Sequence, residues 1–262
     1  MDYILFGDVL KDNNYNLEII MGSEGTYGGR KQYYTANGNY KVFDVNYAIE
    51  QEKMTEEDKV WWGFEDEKLF DWSKEEITNL AKDDKPFNYI MLTADTHFTD
   101  GYLSPNAENK FTTQYENVFA YSSKCVNDFV NWIKKQDFYD NTTIVIVGDH
   151  LGMQNDFYKS RTNNGYVRTV YNVIINSATK PSNTKNRMFC LMDIYPTILA
   201  SIGAEIDGNR LAFGTNLFSD TSTLIEELGF DYFNSEIKKN SNFYNRKILG
   251  NDYYDNKLYG DK

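Results

Sequence analysis

Short runs of strand-forming apolar residues alternate along this chain with longer stretches of helical periodicity. Strands are predicted at residues 17–21, 87–93, 143–147 and 170–175. Between residues 113 and 135, apolar side chains recur at intervals of three and four, which predicts a long helix with one face against a sheet. Because this alternation is typical of βαβ units, it predicts an α/β fold with a mainly parallel sheet sandwiched by helices.

Shorter helices are predicted between and after these strands. Residues 3–11 and 65–82 have helical patterns, and residues 194–202 form a further candidate helix, for which Asp193 is the expected N-cap. From residue 219 onwards the sequence becomes polar and rich in Asn, Lys and Tyr. This last part is predicted to be a small carboxyl-terminal extension, a helix followed by a loosely held tail.

Composition limits the class of protein and its partners. The chain has 262 residues, 41% of them hydrophobic, which is enough for an ordinary soluble core. Its net charge of −12 argues against a nucleic-acid partner, because phosphate backbones are bound by cationic surfaces. No apolar run approaches the roughly 18 residues needed to cross a bilayer. The two cysteines, Cys125 and Cys190, match no metal-binding spacing, and a buried thiol is the favoured interpretation of the first.

Polar residues follow three of the predicted strands, at the point where each strand ends. A glycine-rich loop at 22–30 ends in Arg30, His97 follows the strand at 87–93, and Asp149 and His150 follow the strand at 143–147. These are the only two histidines of the chain. Because the carboxyl ends of parallel strands meet at one edge of a sheet, we expect the four side chains to share a site there.

Asp149 and His150 offer one carboxylate and one imidazole, a mixed donor set that suits Mn²⁺ or Zn²⁺ better than Ca²⁺. Two ligands do not complete a catalytic site, and Asp95 is the only similarly placed carboxylate. Asp149 could instead be the N-cap of the segment that follows it. Arg30 could bind a phosphate or sulfate bidentately, although a solvated arginine in a surface loop is the alternative that spacing alone favours.

Three segments together resemble a known family. They are Val147-Gly-Asp-His-Leu-Gly-Met-Gln-Asn155, Leu92-Thr-Ala-Asp-Thr-His-Phe98 and Met192-Asp-Ile-Tyr-Pro-Thr-Ile-Leu-Ala200. The combination is similar to the sulfatase branch of the alkaline phosphatase superfamily, and more closely to the bacterial phosphoglycerol transferases of periplasmic glucans and their relatives, the lipoteichoic acid synthases. The likeness covers about residues 3–220.

The resemblance implies roles for individual residues. Asp149 and His150 match the aspartate and histidine that hold a catalytic Mn²⁺ in this family, with Zn²⁺ as a second possibility. Arg30 matches an arginine that contacts the phosphoglycerol head group, and His97 matches a histidine that binds the substrate or assists proton transfer. Met21 and Gly28 stand where lipoteichoic acid synthases carry a histidine and a tryptophan, which favours the glucan-type transferases.

The resemblance also implies a division of the chain and an incomplete catalytic set. Family members have an acidic metal ligand and a threonine nucleophile ahead of the segment that opens this sequence. We therefore expect residues 1–218 to be a partial catalytic domain, residues 219–262 to be an extension, and the chain alone to be inactive. In an intact relative, phosphoglycerol passes from a phosphatidylglycerol-like lipid through the threonine to a glycan or glycerol hydroxyl.

The expected location follows from the same resemblance. Relatives work on the extracytoplasmic face of the bacterial membrane or in the periplasm, whereas this chain alone is expected to be soluble. Two alternatives remain open at this stage. The chain could belong to a sulfatase, phosphoethanolamine transferase or phosphodiesterase of the same superfamily, or it could be a non-catalytic remnant that binds anionic head groups.

Overall fold

The computed structural model describes residues 4–163 and 165–248, and the chain divides into two compact units between Ser177 and Ala178. The helices are α1 Phe6–Asp12, α2 Arg30–Ala36, α3 Val45–Glu50, α4 Asp66–Leu80, α5 Gln114–Ile133, α6 Asn155–Arg161, α7 Ile194–Ser201, α8 Leu224–Leu228 and α9 Phe230–Ile237. The strands are β1 Asn16–Met21, β2 Lys41–Phe43, β3 Phe87–Leu92, β4 Ile144–Val147, β5 Asn172–Ile175, β6 Arg210–Leu211 and β7 Gly214–Thr215.

A parallel sheet with the order β2-β1-β3 organises the first unit. Ile19 of β1 lies opposite Val42 of β2 on one side and Ile90 of β3 on the other. Residues 17–21 of β1 are all buried, as expected for a central strand covered on both faces. The predicted α/β fold with a parallel sheet is therefore confirmed, and β2, which the apolar pattern did not reveal, adds a strand beside β1.

The long helix predicted at 113–135 is present as α5. Thr113 caps its amino terminus in a reciprocal arrangement: the Thr113 side chain accepts from the Glu116 backbone N–H, and the Glu116 carboxylate accepts from the Thr113 N–H. Phe129 and Ile133 on its apolar face pack with Phe70 of α4. This cluster also includes side chains of β3, so the helix contacts the sheet as its periodicity indicated.

Strands β4 and β5 form a separate antiparallel pair rather than extending the parallel sheet. Both were predicted within two residues of their bounds, but as strands of one mainly parallel sheet, so the parallel direction expected for this pair is wrong. Ile144 of β4 packs in the same hydrophobic cluster as β3 and α5. The segment that carries Asp149 and His150 is thereby joined to the core of the first unit.

The second unit is built around α7 and the small hairpin β6–β7. Asp193 occupies the N-cap position of α7, as predicted, but its side chain does not cap the helix. Its carboxylate instead accepts hydrogen bonds from the backbone N–H groups of Cys190 and Thr215, at 2.8 and 2.7 Å. Asp193 thus holds the hairpin against the start of the helix.

The remaining predicted elements differ from the structure mainly at their ends. The helix expected at 3–11 begins at Phe6, and Tyr3 lies outside the described residues. The extension expected from residue 219 contains α8 and α9, and residues 249–262 of its tail lie outside the described part as well. The boundary expected after residue 218 falls inside the second unit, and the functional division that it expresses stays a prediction.

Both cysteines are free, and Cys125 is half-buried on α5, where burial raises the pKa of its thiol to about 11. Within the described ranges, none of the helices has the length and apolar character that a membrane span requires.

Candidate functional site

The loop that follows β1 positions Arg30 at the start of a helix. β1 ends at Met21, and the chain then runs through residues 22–29 into α2, whose first residue is Arg30. Gly28 and Gly29 have φ values of 64° and 73°, in the left-handed region that favours glycine. These two residues reverse the chain and set the direction in which α2 begins.

The Arg30 guanidinium is held in place by neutral oxygen atoms. Its Nε donates to the Tyr27 carbonyl at 3.0 Å, and one terminal nitrogen donates to Ser23 Oγ and to the Glu24 carbonyl, both at 2.9 Å. The guanidinium carbon also lies 5.4 Å from the centre of the Tyr27 ring. Among the described residues no carboxylate pairs with Arg30, so its charge is oriented without being neutralised. Partial burial lowers its pKa.

His97 lies in the loop after β3, between two aromatic rings. The Trp62 ring meets the imidazole edge-on with centres 4.3 Å apart, and the Phe98 ring stacks on it at 4.8 Å. Its Nδ1 is 2.7 Å from the Phe98 carbonyl oxygen. Because a carbonyl only accepts, Nδ1 carries the hydrogen, and in the neutral ring Nε2 remains a proton acceptor.

The start of that loop is fixed by two buried aspartates. Asp66 at the beginning of α4 accepts hydrogen bonds from the backbone N–H groups of Ala94 and Asp95, and Asp95 in turn accepts from the backbone N–H of Asp66. Burial raises the pKa of both carboxyl groups, and the charge of Asp66 raises that of Asp95 further. This reciprocal latch anchors the chain two residues before His97.

Asp149 and His150 follow β4 in an exposed segment. His150 Nδ1 is 2.9 Å from the Leu151 carbonyl, so Nδ1 donates and Nε2 is the open nitrogen, as in His97. Asp149 Oδ2 lies 3.4 Å from that Nε2, and Asp149 Oδ1 accepts from the His150 backbone N–H. Gln154, without a capping hydrogen bond from its side chain, occupies the N-cap position of the next helix, α6, so the alternative role of Asp149 as an N-cap is not observed.

This pair has the donor chemistry of a divalent metal site. Asp149 Oδ2 and His150 Nε2 lie 3.4 Å apart and can both contribute a lone pair to a shared cation. A histidine whose other nitrogen donates to a backbone carbonyl is the usual form of a metal-bound imidazole. Asp149 and His150 therefore fit as two ligands of a metal ion.

The described part of the chain contains no group of three His, Cys, Asp or Glu side chains that could hold a metal. Asp95, which the sequence suggested as a third ligand, is buried against Asp66 and is not grouped with Asp149 and His150. One of its carboxylate oxygens has no hydrogen-bond partner. Its structural role in the latch explains why it is unavailable to a metal at the strand ends.

Backbone contacts connect the Arg30 loop to the His97 loop. Phe64 N–H donates to the Gly22 carbonyl at 2.8 Å, and Gly63 is so close to Gly22 that a Cβ at Gly63 would lie 2.1 Å from the Gly22 oxygen. Trp62, the next residue back along the chain, packs on His97. The segment 60–64 therefore bridges the two loops.

Two further contacts connect the His97 loop to the segment that follows Asp149 and His150. The Asp100 N–H donates to Gln154 Oε1 at 2.8 Å, and Gln154 Nε2 donates to Asp100 Oδ1 at 2.6 Å. Asp100 stands three residues after His97, and Gln154 four residues after His150. A continuous series of contacts thus runs from Arg30 through His97 to the segment of Asp149 and His150.

Sequence reasoning missed the residues that make these connections. Trp62, Asp66 and Gln154 have no distinctive spacing, and their roles depend on partners 28 to 54 positions away. The adjacent pair Trp61-Trp62, with stacked rings 5.7 Å apart, was the one local signal that could have marked the bridge. Exposed paired tryptophans are unusual on the surface of a soluble domain.

Comparison with known proteins decides the family. The model of the sulfatase family matches residues 4–204, which include Arg30, His97, Asp149 and His150. The chain belongs to the sulfatase family. The branch expected from the three motifs is therefore confirmed.

Curated relatives of this sulfatase-family chain include phosphoglycerol transferases. The chain is 28% identical over 165 residues to phosphoglycerol transferase I of Citrobacter koseri, and 29% identical over 165 residues to phosphoglycerol transferase I of Escherichia fergusonii. In each case the match covers 60% of this chain and 21% of the relative. The match thus spans about a fifth of the length of these relatives.

Two solved structures share the fold of this sulfatase-family chain. An alkaline phosphatase superfamily protein from Vibrio parahaemolyticus superposes with a TM-score of 0.64 at 20% identity, covering 84% of this chain and 52% of that one. The lipoteichoic acid synthase LtaP from Listeria monocytogenes superposes with a TM-score of 0.66 at 16% identity, covering 81% and 57%. At these identities the likeness establishes the alkaline phosphatase-like fold.

Proposed function

We propose that this chain takes part in metal-dependent phosphoglycerol transfer, from a phosphatidylglycerol-like lipid to a glycan or glycerol hydroxyl. Its residues would supply the contacts to the phosphoglycerol head group and two ligands of the divalent metal, Mn²⁺ in preference to Zn²⁺. The single observation that carries the proposal is the series of contacts linking Arg30, His97 and the Asp149–His150 segment. The curated relatives named phosphoglycerol transferase I support the choice of reaction.

Arg30 is suited to binding the phosphate of the head group. Its guanidinium is oriented by Tyr27, Ser23 and Glu24, and no carboxylate in the described ranges neutralises it. A preoriented cation loses little entropy when it binds an anion, and a charge-assisted hydrogen bond is stronger than a neutral one. Arg30 would therefore steady negative charge on the phosphate oxygens.

His97 is suited to binding a hydroxyl group or to accepting a proton from it. The hydrogen bond to the Phe98 carbonyl fixes the ring with Nε2 as the acceptor, and Trp62 limits its rotation. Nε2 can accept a hydrogen bond from a glycerol hydroxyl or receive its proton. His97 is thus the candidate for substrate binding and proton transfer in this chain.

Asp149 and His150 would hold the divalent metal together with ligands from outside the described residues. When bound, the metal would supply positive charge to an attacking oxygen and to the phosphate. The proposal assigns no nucleophile to this chain. It places the reaction on the extracytoplasmic face of the bacterial membrane, where the lipid donor would be presented.

Binding measurements on the chain itself test the proposal. With Mn²⁺ present, glycerol 1-phosphate should bind at millimolar or better affinity, and Arg30→Ala and His97→Ala should each weaken it about tenfold, as expected for the loss of one charge-assisted contact. Arg210→Ala is a matched control, since Arg210 is already paired with Glu227 in the second unit. Equal affinity of the wild type and Arg30→Ala for glycerol 1-phosphate would contradict the proposal.

The same titration separates the related chemistries. A sulfatase-type site would bind an aryl sulfate in preference to glycerol 1-phosphate, and both ligands should be compared in one competition experiment. A non-catalytic role in binding anionic head groups is favoured by one observation, the absence of a third metal ligand among the described residues. That role predicts glycerol 1-phosphate binding that is unchanged when Mn²⁺ is removed.

A further inference from the structure

A second concave site lies beside His150, away from the residues assigned to the head group. It is a cavity of about 530 Å³ between the segment that follows β4 and the chain from α6 to β5. Ligand sites of small molecules usually have volumes of 300 to 1,000 Å³, so this cavity has room for a small organic ligand. Its walls include His150, Leu151, Tyr158, Arg168, Thr169 and Tyr171.

Arg168 is the fixed polar group of this cavity. Its guanidinium lies 3.9 Å from the centre of the Tyr158 ring, and a terminal nitrogen donates to the Gly152 carbonyl. No carboxylate within the described ranges pairs with Arg168, whereas its neighbour Arg161 is neutralised by Glu116. The Tyr158 ring covers one face of the Arg168 guanidinium, and the Gly152 carbonyl accepts from one terminal nitrogen. Because an arginine has five N–H donors, the others remain for a ligand.

The wall beside Arg168 is apolar and exposed. Tyr171 is 63% exposed and Leu151 is 43% exposed, although both lie next to the antiparallel pair β4–β5. An exposed tyrosine ring beside a planar set of N–H donors is suited to a ligand that has an apolar face and hydroxyl groups on its edge. A pyranose ring has this amphipathic shape, since its C–H groups form a face and its hydroxyls form a rim.

An anionic ligand fits the cavity less well. Arg168 is its one cation without a carboxylate partner among the described residues, and the ring of Tyr158 already covers one face of it. Strong phosphate sites usually combine several charged or backbone N–H donors. The chain also has a net charge of −12, which disfavours anions away from local cationic groups.

We propose that this cavity is the subsite for the acceptor, and that it binds a neutral oligosaccharide of two or three sugar units. Tyr171 would stack on a sugar ring and Arg168 would donate to its hydroxyls. Because His150 lines the same cavity, a hydroxyl of the bound sugar would lie beside the two proposed metal ligands, Asp149 and His150. In naming the cavity an acceptor subsite, the inference rests on the proposed transfer reaction; its claim of sugar binding stands on the cavity alone.

Titration of the chain with maltotriose and with laminaritriose tests the inference. Binding is monitored by NMR chemical shifts in the absence of Mn²⁺. At least one trisaccharide should bind with millimolar affinity and shift resonances of Arg168 and Tyr171. Arg168→Ala and Tyr171→Ala should each weaken binding at least fivefold. Lys135→Ala and Tyr232→Ala, which change an exposed cation and an exposed tyrosine elsewhere, should leave it unchanged.

The outcomes distinguish this inference from the proposed function. Trisaccharide binding that is lost in Arg168→Ala supports the subsite, even if glycerol 1-phosphate fails to bind at Arg30. Absence of binding by both trisaccharides, or equal binding by wild type and both cavity variants, overturns it. Preferential binding of inorganic phosphate at Arg168 overturns it as well. Thermal unfolding followed by circular dichroism checks that each variant is folded, and Arg168→Lys serves as a second, milder variant.

Discussion

Two arginines in different units of the chain show how the same side chain serves binding or stability. Arg187 in the second unit contacts both carboxylate oxygens of Glu226, at 2.9 and 3.0 Å, and also donates to three backbone carbonyls, of Leu217, Ser219 and Thr221. Arg30 in the first unit donates its hydrogen bonds to neutral oxygens within the described part of the chain. An arginine whose donors and charge are all satisfied holds the fold together, whereas an oriented but unneutralised arginine is available to an anion.

Carboxylates in the two units also differ in whether a cation neutralises them. Arg187 lowers the pKa of the Glu226 carboxyl to about 2, because the ionised form accepts its hydrogen bonds. Burial raises the pKa of Asp66 and Asp95 near the candidate site, where no cation balances them. The surroundings of Glu226 in the second unit therefore favour its ionised form, whereas those of Asp66 and Asp95 in the first unit disfavour it.

The largest expected effect is on stability, and it concerns Arg187. Arg187→Ala should lower the free energy of unfolding by about 3 kcal/mol, because it leaves a partly buried carboxylate without its partner. Arg30→Ala should lower it by no more than about 1 kcal/mol, since only hydrogen bonds to neutral oxygens are lost. Urea unfolding of the two variants measures both. Equal losses would remove the distinction between a structural and a binding arginine.

The next effect is on metal binding. Asp149→Ala or His150→Ala should lower Mn²⁺ affinity at least tenfold in calorimetric titration, because each removes one of two ligands. Asp156→Ala, which removes an exposed carboxylate from nearby α6, is the matched control and should leave affinity unchanged. If both ligand variants bind Mn²⁺ like the wild type, the metal assignment is wrong.

Sequence patterns predicted the elements of the fold well, since they depend on local periodicity. The strand at 17–21 and the helix at 113–135 were found because burial of one face imposes a repeat that the sequence shows. The antiparallel pairing of β4 with β5 differs from the parallel direction expected of them, because pairing direction depends on partners far along the chain. Strand β2 has only three residues, too few for a periodic signal.

Some residues of the candidate site were likewise indicated by local sequence patterns, whereas others depend on contacts between distant parts of the chain. His97, Asp149 and His150 could be proposed because each follows a predicted strand, and the resemblance to a family supplied their roles. Asp95, the similarly placed carboxylate, is instead buried against Asp66 through a contact across 29 positions, which the sequence pattern does not show. The bridge through Trp62 and the link between Asp100 and Gln154 depend on tertiary packing in the same manner.

A smaller effect is expected in the pH dependence of stability. For Asp66 and Asp95 the folded pKa is raised, so their contribution is fully present below an ordinary aspartate pKa of about 4 and is lost as pH rises through the raised values. For Glu226 the folded pKa is lowered, so its contribution is present above about 4.5 and is lost as pH falls towards about 2.

Asp95→Asn separates these two contributions. It keeps an acceptor for the Asp66 N–H and removes the repulsion, so the variant should be more stable than the wild type at pH 8, by about 1 kcal/mol. At pH 4 the two proteins should be nearly equal, and the loss of stability towards pH 2 should be unchanged. Urea unfolding at the three pH values measures this. A variant that is less stable than the wild type at pH 8 would show that the charged latch stabilises the fold.

The smallest expected effect concerns the positioning of His97. Trp62→Ala should weaken binding of glycerol 1-phosphate about threefold, because the imidazole loses a ring packed at 4.3 Å, and Trp62→Phe should restore most of the affinity. Trp61→Ala, which removes the ring stacked on Trp62 and leaves the ring packed on His97, is the comparison variant. Equal affinities for wild type and Trp62→Ala would mean that the bridge does not position the histidine.

The shared site is tested most directly by the distance from Mn²⁺ bound at Asp149 and His150 to Arg30 and His97. Mn²⁺ is paramagnetic and broadens NMR signals of nearby nuclei, and the two histidines of this chain give a simple imidazole spectrum. The account predicts that substoichiometric Mn²⁺ broadens the signals of His150, His97 and Arg30 Nε–H, and that Asp149→Asn abolishes all three effects. Broadening of His150 alone, with His97 and Arg30 unchanged, would contradict a shared site.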